Sequence, residues 1–302
     1  TALYGAGIQC WENASPTVKN NIIKDNIALA SGGGVWFYKL CNARLDSNII
    51  TGNQASNSGG GVKIDFFSDV VVVNNIITNN SLTQPTFSKG GGIYSGNSEP
   101  ILINNTIADN IIPAGGEGGG VYNWYGSPTI VNTIIWGNTD PQMSQEYEVG
   151  IEAGITASYS DIQGSGGSGS GWVSAFGIDG GGNIDSDPLF IDQINGDLHL
   201  QAGSPCIDAG DPTYPLDPDS TITDMGAFWF DQTGISEHLI IRPSEYNFVG
   251  ATIFAGPLIL PKGINCKVFD ITGRIVEPTK IKPGIYFIEV DGVMTEKVVK
   301  VR

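Results

Sequence analysis

A glycine cluster closed by an aliphatic residue recurs five times early in the chain: Gly5-Ala6-Gly7-Ile8, Gly32-Gly33-Gly34-Val35, Gly59-Gly60-Gly61-Val62, Gly90-Gly91-Gly92-Ile93 and Gly118-Gly119-Gly120-Val121. The aliphatic positions are 27, 27, 31 and 28 residues apart. A second anchor, Ile-x-x-Asn, places Asn26, Asn53, Asn80, Asn110 and Asn138 at steps of 27, 27, 30 and 28. Two anchors that hold one period, and lengthen together in one unit, mark a solenoid in which each unit is a coil. Within a unit, short Ile/Val-rich segments alternate with Gly, Asn, Ser and Pro, and no apolar run has a helical period. Such a unit fits three short strands and three turns, each coil pairing with the next as parallel strands about 4.8 Å apart. The fold class predicted is all-β, with a right-handed parallel β-helix as its main body.

The repeated letters have structural work to do in such a stack. Asn26, Asn53, Asn80, Asn110 and Asn138 are predicted to form a ladder, each amide donating and accepting along the column at a turn where Asn tolerates left-handed backbone. The glycines are predicted to line another corner, where a positive φ or a close backbone approach excludes a Cβ.

The glycine-cluster and Asn pattern resembles the repeats of chlamydial polymorphic outer-membrane proteins and of the wider bacterial right-handed β-helix repeat family. Further on, Tyr159-Ser160-Asp161-Ile162, Gly182-Asn183-Ile184-Asp185-Ser186-Asp187-Pro188-Leu189-Phe190 and Gly203-Ser204-Pro205-Cys206-Ile207-Asp208 resemble the closing coils of secreted members. The resemblance covers residues 1 to about 231. It implies the fold and no particular reaction.

The composition shifts after Asp231. Residues 1–234 carry 6 Lys/Arg and 24 Asp/Glu, a net of −18, whereas 235–302 carry 9 and 7, a net of +2. The predicted domains are therefore 1–234, the β-helix, and 235–302, a small antiparallel immunoglobulin-like β-sandwich of alternating strands with tight turns. The motifs Phe269-Asp270-Ile271-Thr272-Gly273-Arg274, Pro283-Gly284-Ile285-Tyr286-Phe287 and Lys297-Val298-Val299-Lys300-Val301 resemble, in that order, the C-terminal sorting domain of type IX secretion cargo. That resemblance implies export and an extracellular or outer-surface location. No apolar run reaches the length of a membrane span. The chain begins at Thr1 without an initiator Met or a basic-apolar leader, as a mature form or a fragment would.

No Lys or Arg lies between Lys89 and Arg242, so the surface repels nucleic acid and anionic membranes. Cys10, Cys41, Cys206 and Cys266 lack metal-site spacing, leaving a disulfide or buried thiols open. A polysaccharide lyase needs a cationic base and neutralisation of the substrate carboxylate, yet the β-helix has only Arg44 and five lysines. For a hydrolase, Asp65 and Asp69 share a coil, but Asp65 aligns with Tyr38 and Gly96, so solvated surface charge is the simpler reading. His199 sits at an outward position of an alternating strand with no nucleophile motif around it, and His238 is the other histidine.

No cofactor is required by these residues. Asp217, Asp219 and Asp224, or Asp185 and Asp187, lie among Gly and Pro turns that can gather oxygen ligands for a structural Ca²⁺; otherwise they are turn-forming Asx residues. Alternation from each inward anchor turns outward first Gln9, Trp36, Lys63, Tyr94 and Tyr122, then Trp11, Tyr38, Asp65, Gly96 and Trp124. The aromatics Trp11, Trp36, Tyr38, Tyr94, Tyr122 and Trp124 form the expected interaction surface, able to stack on sugar rings or pack on a neighbour. The first coil opens without a polar cap, a template for self-association, including a head-to-tail polymer. The function predicted is a non-catalytic, exported structural or adhesive protein of the cell surface or an extracellular assembly, with self-association or other surface proteins as partners. The alternative is a β-helix that binds or degrades an extracellular polysaccharide.

Overall fold

The computed structural model describes residues 1–147, 154–232, 252–254, 266–270, 274–290 and 293–300. The chain forms two compact units, Thr1–Glu237 and His238–Arg302; the predicted boundary at 234/235, His238 and residues 271–273 of the sorting-like turn lie outside the described residues.

The first unit is the predicted parallel β-solenoid. After each glycine cluster comes a strand of the first sheet: Ile8–Trp11, Val35–Tyr38, Val62–Asp65, Ile93–Gly96, Val121–Trp124 and Met143–Glu146. The second sheet stacks Thr17–Lys19, Arg44–Asp46, Val71–Val73, Ile101–Ile103, Thr129–Val131, Thr156–Ser158 and Ile178–Asp179. The third stacks Ile22–Lys24, Ile49–Thr51, Ile76–Thr78, Thr106–Ala108, Ile134–Trp136 and Asp161–Ile162. The register keeps the anchors in columns, Ile8 on Val35 on Val62 on Ile93 on Val121 on Met143. The insertion seen as a step of 31 therefore leaves the pairing untouched.

Three strands per coil is one too few for the first coils. Ala2–Tyr4, Ile27–Ser31, Gln54–Ala55 and Ser81–Leu82 pair into a short fourth sheet between the asparagine and glycine corners. The Ile-x-x-Asn turn is sharp enough to start a new strand, and its inward residues Ala28, Ala55 and Leu82 build a small core of their own with Ile112.

The main core is the stack of inward aliphatics. Ile23, Ile50, Ile77, Ile107, Ile135 and Ile162 face Leu45, Val72, Leu102 and Ile130 across the coil interior, all buried. Trp172 and Phe176 pack on the core where the last coils end, and Trp172 Nε1 donates to the Gly177 carbonyl at 2.8 Å.

At the asparagine corner, Asn26, Asn53, Asn80, Asn110 and Asn138 stand in a column. Each Nδ2 donates to the next Oδ1 at 2.9–3.0 Å, and Asn138 ends the run on Gln142 Oε1 at 2.9 Å. The remaining proton of Asn53, Asn80, Asn110 and Asn138 goes to the carbonyl of an Ile in the preceding coil. Every buried amide in the column is thereby paired, which a buried polar group requires. The glycine corner meets two different demands. Gly32 and Gly59 have φ of +70° and +62°, and a Cβ on Gly60 would lie 2.5 Å from the Gly91 carbonyl oxygen of the next coil.

Beyond residue 184 the chain departs from the expected closing coils. Residues 185–232 run back along the outside of the third sheet, with an antiparallel hairpin of Phe190–Asp192 and Asp197–Leu200. Phe190, Leu198, Leu200, Cys206 and Met225 pack on Ile76, Ala108 and Ile134 of that sheet. Backbone groups tie the same segment down, Gly226 N donating to the Asn132 carbonyl at 2.8 Å and Ala227 N to Thr106 Oγ1 at 3.0 Å.

The second unit is a five-stranded sheet, ordered Thr252–Phe254, Val293–Lys300, Gly284–Val290, Cys266–Asp270, Ile275–Val276. All its pairs are antiparallel except that of Thr252–Phe254 with Val293–Lys300. Val268, Ile281, Tyr286 and Ile288 form its core. Among the described residues it is a single, mostly antiparallel sheet, in line with the small antiparallel region expected from sequence.

Candidate functional site

The outer face of the first sheet gathers most of the chemistry-bearing side chains. One outward column runs Gln9, Trp36, Lys63, Tyr94, Tyr122 and Ser144; the other runs Trp11, Tyr38, Asp65, Gly96, Trp124 and Glu146. Their direction follows the alternation expected from sequence, but their exposure does not. Trp36, Tyr94 and Tyr122 are buried, with Tyr122 at 0% exposure. Neighbours one strand spacing apart cover one another: Tyr94 stacks on Tyr122 with centroids 5.7 Å apart, and Tyr4, Trp11 and Tyr38 surround Trp36 at 5.1, 6.0 and 5.0 Å. Trp11 is half exposed, while Tyr38 and Trp124 are partly buried.

In the middle of this face Lys63 Nζ lies 3.3 Å from Asp65 Oδ2, and the ammonium sits over the rings of Trp36 and Tyr94 at 5.5 and 5.0 Å. Asp65 is buried, so the reading of it as solvated surface charge is corrected; Asp69 is exposed. Burial pulls both partners toward their neutral forms, lowering the pKa of Lys63 and raising that of Asp65, while their mutual attraction opposes it. Gly96 makes the space: a Cβ there would fall 2.6 Å from Asp65 Oδ1. One coil on, Lys89 Nζ donates to Tyr122 Oη at 2.6 Å and pairs with Glu146 and, at 3.8 Å, with Glu117. The hydrogen bond from Lys89 holds the Glu146 carboxyl below its ordinary range. Burial raises the Tyr94 and Tyr122 phenols, so both stay protonated.

At the corner joining the first and second sheets, Leu40, Phe66, Phe67 and Tyr125 are exposed although each has a left-handed backbone, with φ of 53° to 61°. Bulky side chains are rare in that region. Phe66 meets Tyr38 edge-on at 4.8 Å and Tyr125 meets Trp124 at 5.1 Å, extending the ring surface around the corner. Sequence reasoning missed this row because alternation assigns directions within strands and says nothing of turns.

The candidate Ca²⁺ carboxylates lie on the opposite flank and are occupied by backbone amides. Asp217 Oδ2 accepts from Asp224 N at 2.8 Å; Asp224 accepts from Asp208 N at 2.7 Å and Phe230 N at 2.6 Å; Asp219 accepts from Thr221 N and Gln232 N. Asp185 accepts from Gly164 N and Gly166 N, and Asp187 from Leu189 N. Asp187 with Leu189 N and Asp219 with Thr221 N make Asx turns, the other role open from sequence, whereas Asp185, Asp217 and Asp224 accept from backbone amides six or more residues away. Among the described residues no group of three His, Cys, Asp or Glu is arranged to hold a metal ion. Asp217 and Asp224 line a cavity of about 430 Å³ with Asn74, Asn104 and Trp229. Burial pushes Asp224 up to about 6.

A further buried carboxylate, Asp161, joins the last coil to the returning segment. It accepts from Ser186 N at 3.1 Å and from the Cys206 thiol at 3.2 Å, and burial pushes it up to about 7. All four cysteines are free. Burial raises Cys10 to about 11 and raises Cys206 as well, so neither offers a thiolate. His199 is exposed, its Nδ1 2.7 Å from Asp197 Oδ1, and it stacks on Phe228 rather than on any nucleophile. Among the described residues no helix is long and apolar enough to cross a membrane.

Compared with known proteins, residues 6–171 match the family model described as a right-handed β-helix region. No curated protein and no solved structure matches the chain. The match spans more than half of the 302 residues and falls on the coils whose columns are described above, so the chain belongs to the right-handed β-helix family.

Proposed function

We propose that the protein is a non-catalytic adhesive module, exported to the cell surface or an extracellular assembly, that attaches to a polysaccharide through the outer face of its first sheet. The observation that carries this reading is the combination of open ring surface with fixed polar groups. Trp11, Tyr38, Phe66 and Tyr125 offer ring area, beside a row of lysines each held by a carboxylate. Aromatic stacking gives affinity and fixed hydrogen-bonding groups give orientation. The pairing of both lysines argues against a free base ready for elimination chemistry. Immobilised glycans screened both for retention and for release of reducing ends test the proposal: retention without turnover is expected. Turnover that disappears in Lys63→Met or Asp65→Asn would establish the enzymatic alternative.

The exposed row of Leu40, Phe66, Phe67 and Tyr125 favours a second reading, self-association or contact with another surface protein. Concentration-dependent mass by analytical ultracentrifugation, abolished in Phe67→Ser, is its test. The second unit is proposed to act as a type IX sorting-like signal, supported by its order of motifs and by the strands Gly284–Val290 and Val293–Lys300, which carry most of the second and third of them. Its removal is expected to leave the protein inside the cell. Structural Ca²⁺ at Asp217, Asp219 and Asp224 remains a proposal as well, to be tested by a calcium-dependent rise in Tm.

A further inference from the structure

We infer that the ligand of the first-sheet face is an uncharged, hydroxyl-rich polysaccharide, and that this face rejects polyuronates and sulfated glycans. The inference rests on the glycan-binding reading above and names its substrate class.

Charge selects first. The cations on this face are already neutralised: Lys63 by Asp65 at 3.3 Å, Lys89 by Glu146 and Glu117, and at the adjoining corner Lys39 by Glu12 at 2.6 Å. The other cations of the β-helix, Lys19, Lys24 and Arg44, lie on strands of the second and third sheets; no Lys or Arg occurs between Lys89 and Arg242, and residues 1–234 carry a net of −18. A polyanion approaching the face would meet repulsion at long range and find no unpaired cation at contact. A neutral sugar has no such penalty, and its hydroxyls can both donate to carboxylates and accept from ammonium and phenol groups.

An orphaned donor points the same way. Trp36 Nε1 is buried without a hydrogen-bond partner, and a buried unsatisfied donor is costly. The rings packed on Trp36 include Tyr4 and Trp11, both about half exposed and so able to swing aside. A ligand hydroxyl oxygen accepting from Nε1 would remove that cost on binding. Lys63 and Tyr94 lie beside the same ring stack.

The test is affinity electrophoresis of the full chain through gels carrying either a neutral β-glucan or xylan, or polygalacturonate, at low and high salt. Retardation on a neutral gel, unchanged by salt and absent on polygalacturonate, is the expected result. Retention on polygalacturonate that weakens with salt, as an ionic contact must, would overturn the inference and leave glycan binding standing. Retention on no gel would overturn glycan binding itself. Trp36→Phe keeps a ring and removes the donor. It should bind the neutral glycan about fivefold more weakly at unchanged Tm, and undiminished binding would remove Trp36 from the site. Asp65→Asn leaves Lys63 uncompensated, so retention on polygalacturonate should appear in mildly acidic buffer; its absence would show that the pair does not set the selection.

Discussion

The first and third sheets are built from the same coils, yet their outer faces are finished in opposite ways. The third sheet turns out Ile76, Thr106, Ala108 and Ile134, small or aliphatic groups on which the chain lays its own residues 185–232. The first sheet turns out rings and charges, which stack along the column until they largely cover themselves. A face covered by its own chain is committed to stability. One that covers itself with side chains is left unclaimed by the chain, which is the contrast on which the proposed binding face rests.

The sharpest way to test the shared frame is to break the column that both faces depend on. Asn80→Ala removes the acceptor for the Asn53 side chain and backbone, and the donor to Ile50 and Asn110. With about 1–3 kcal/mol for each buried group left unpaired, a loss of at least about 4 kcal/mol is expected in urea unfolding of the first unit.

Next in size is the covered face. Phe190→Ala removes a buried ring from the contact with the third sheet and should cost about 3–4 kcal/mol. Hydrogen exchange should then quicken at Ile134 and Thr106 while the first sheet keeps its protection. Equal loosening of both faces would erase the distinction drawn between them.

The covered face also carries a pH dependence. Asp161, at about 7, and Asp224, at about 6, have native values raised above those of an unfolded chain. The folded state therefore binds more protons than the unfolded one between pH values of about 4 and 7, and stability falls as pH rises through that window. Asp179, held near 2 chiefly by its hydrogen bond from Gly169 N, works in the opposite sense and only in stronger acid. Asp161→Asn should flatten the decline in Tm toward neutral pH; an unchanged slope would place the titration elsewhere. The smallest effect is expected on the open face. Replacing both members of its ion pair, Lys63→Met with Asp65→Leu, should move stability by no more than about 1 kcal/mol, because a buried pair roughly repays its own desolvation.

How much of this was legible follows from what a period reports. Glycine and asparagine anchors fixed coil length, register and columns, so that Asp65 was aligned correctly with Tyr38 and Gly96. A second column, Asn21, Asn48, Asn75 and Asn105, hydrogen-bonded at 3.0–3.3 Å, follows steps of 27, 27 and 30, but its lead residue varies between Val and Leu (Val18, Leu45, Val72, Leu102), so it lacks the fixed Ile that marks the first column. The burial of Trp36 and Tyr122 was not legible, since alternation tells which way a side chain points and not what lies over it. The return of residues 185–232 depends on contacts between segments up to about 120 residues apart, such as Asn104 with Asp224 and Thr106 with Ala227, and no local pattern encodes those.

Lys89 follows the lengthened stretch of its coil and is back in register, bridging Ser58 and Glu117 of the adjacent coils, and it reaches the Tyr122 phenol and, two coils away, Glu146. Because the strands ignore the added residues, material can be spliced into a corner just ahead of an existing face at no cost in alignment. Variation in such a lineage can therefore accumulate at the bends, and in-frame gain or loss of whole coils would lengthen or shorten the molecule while preserving every contact layer that remains.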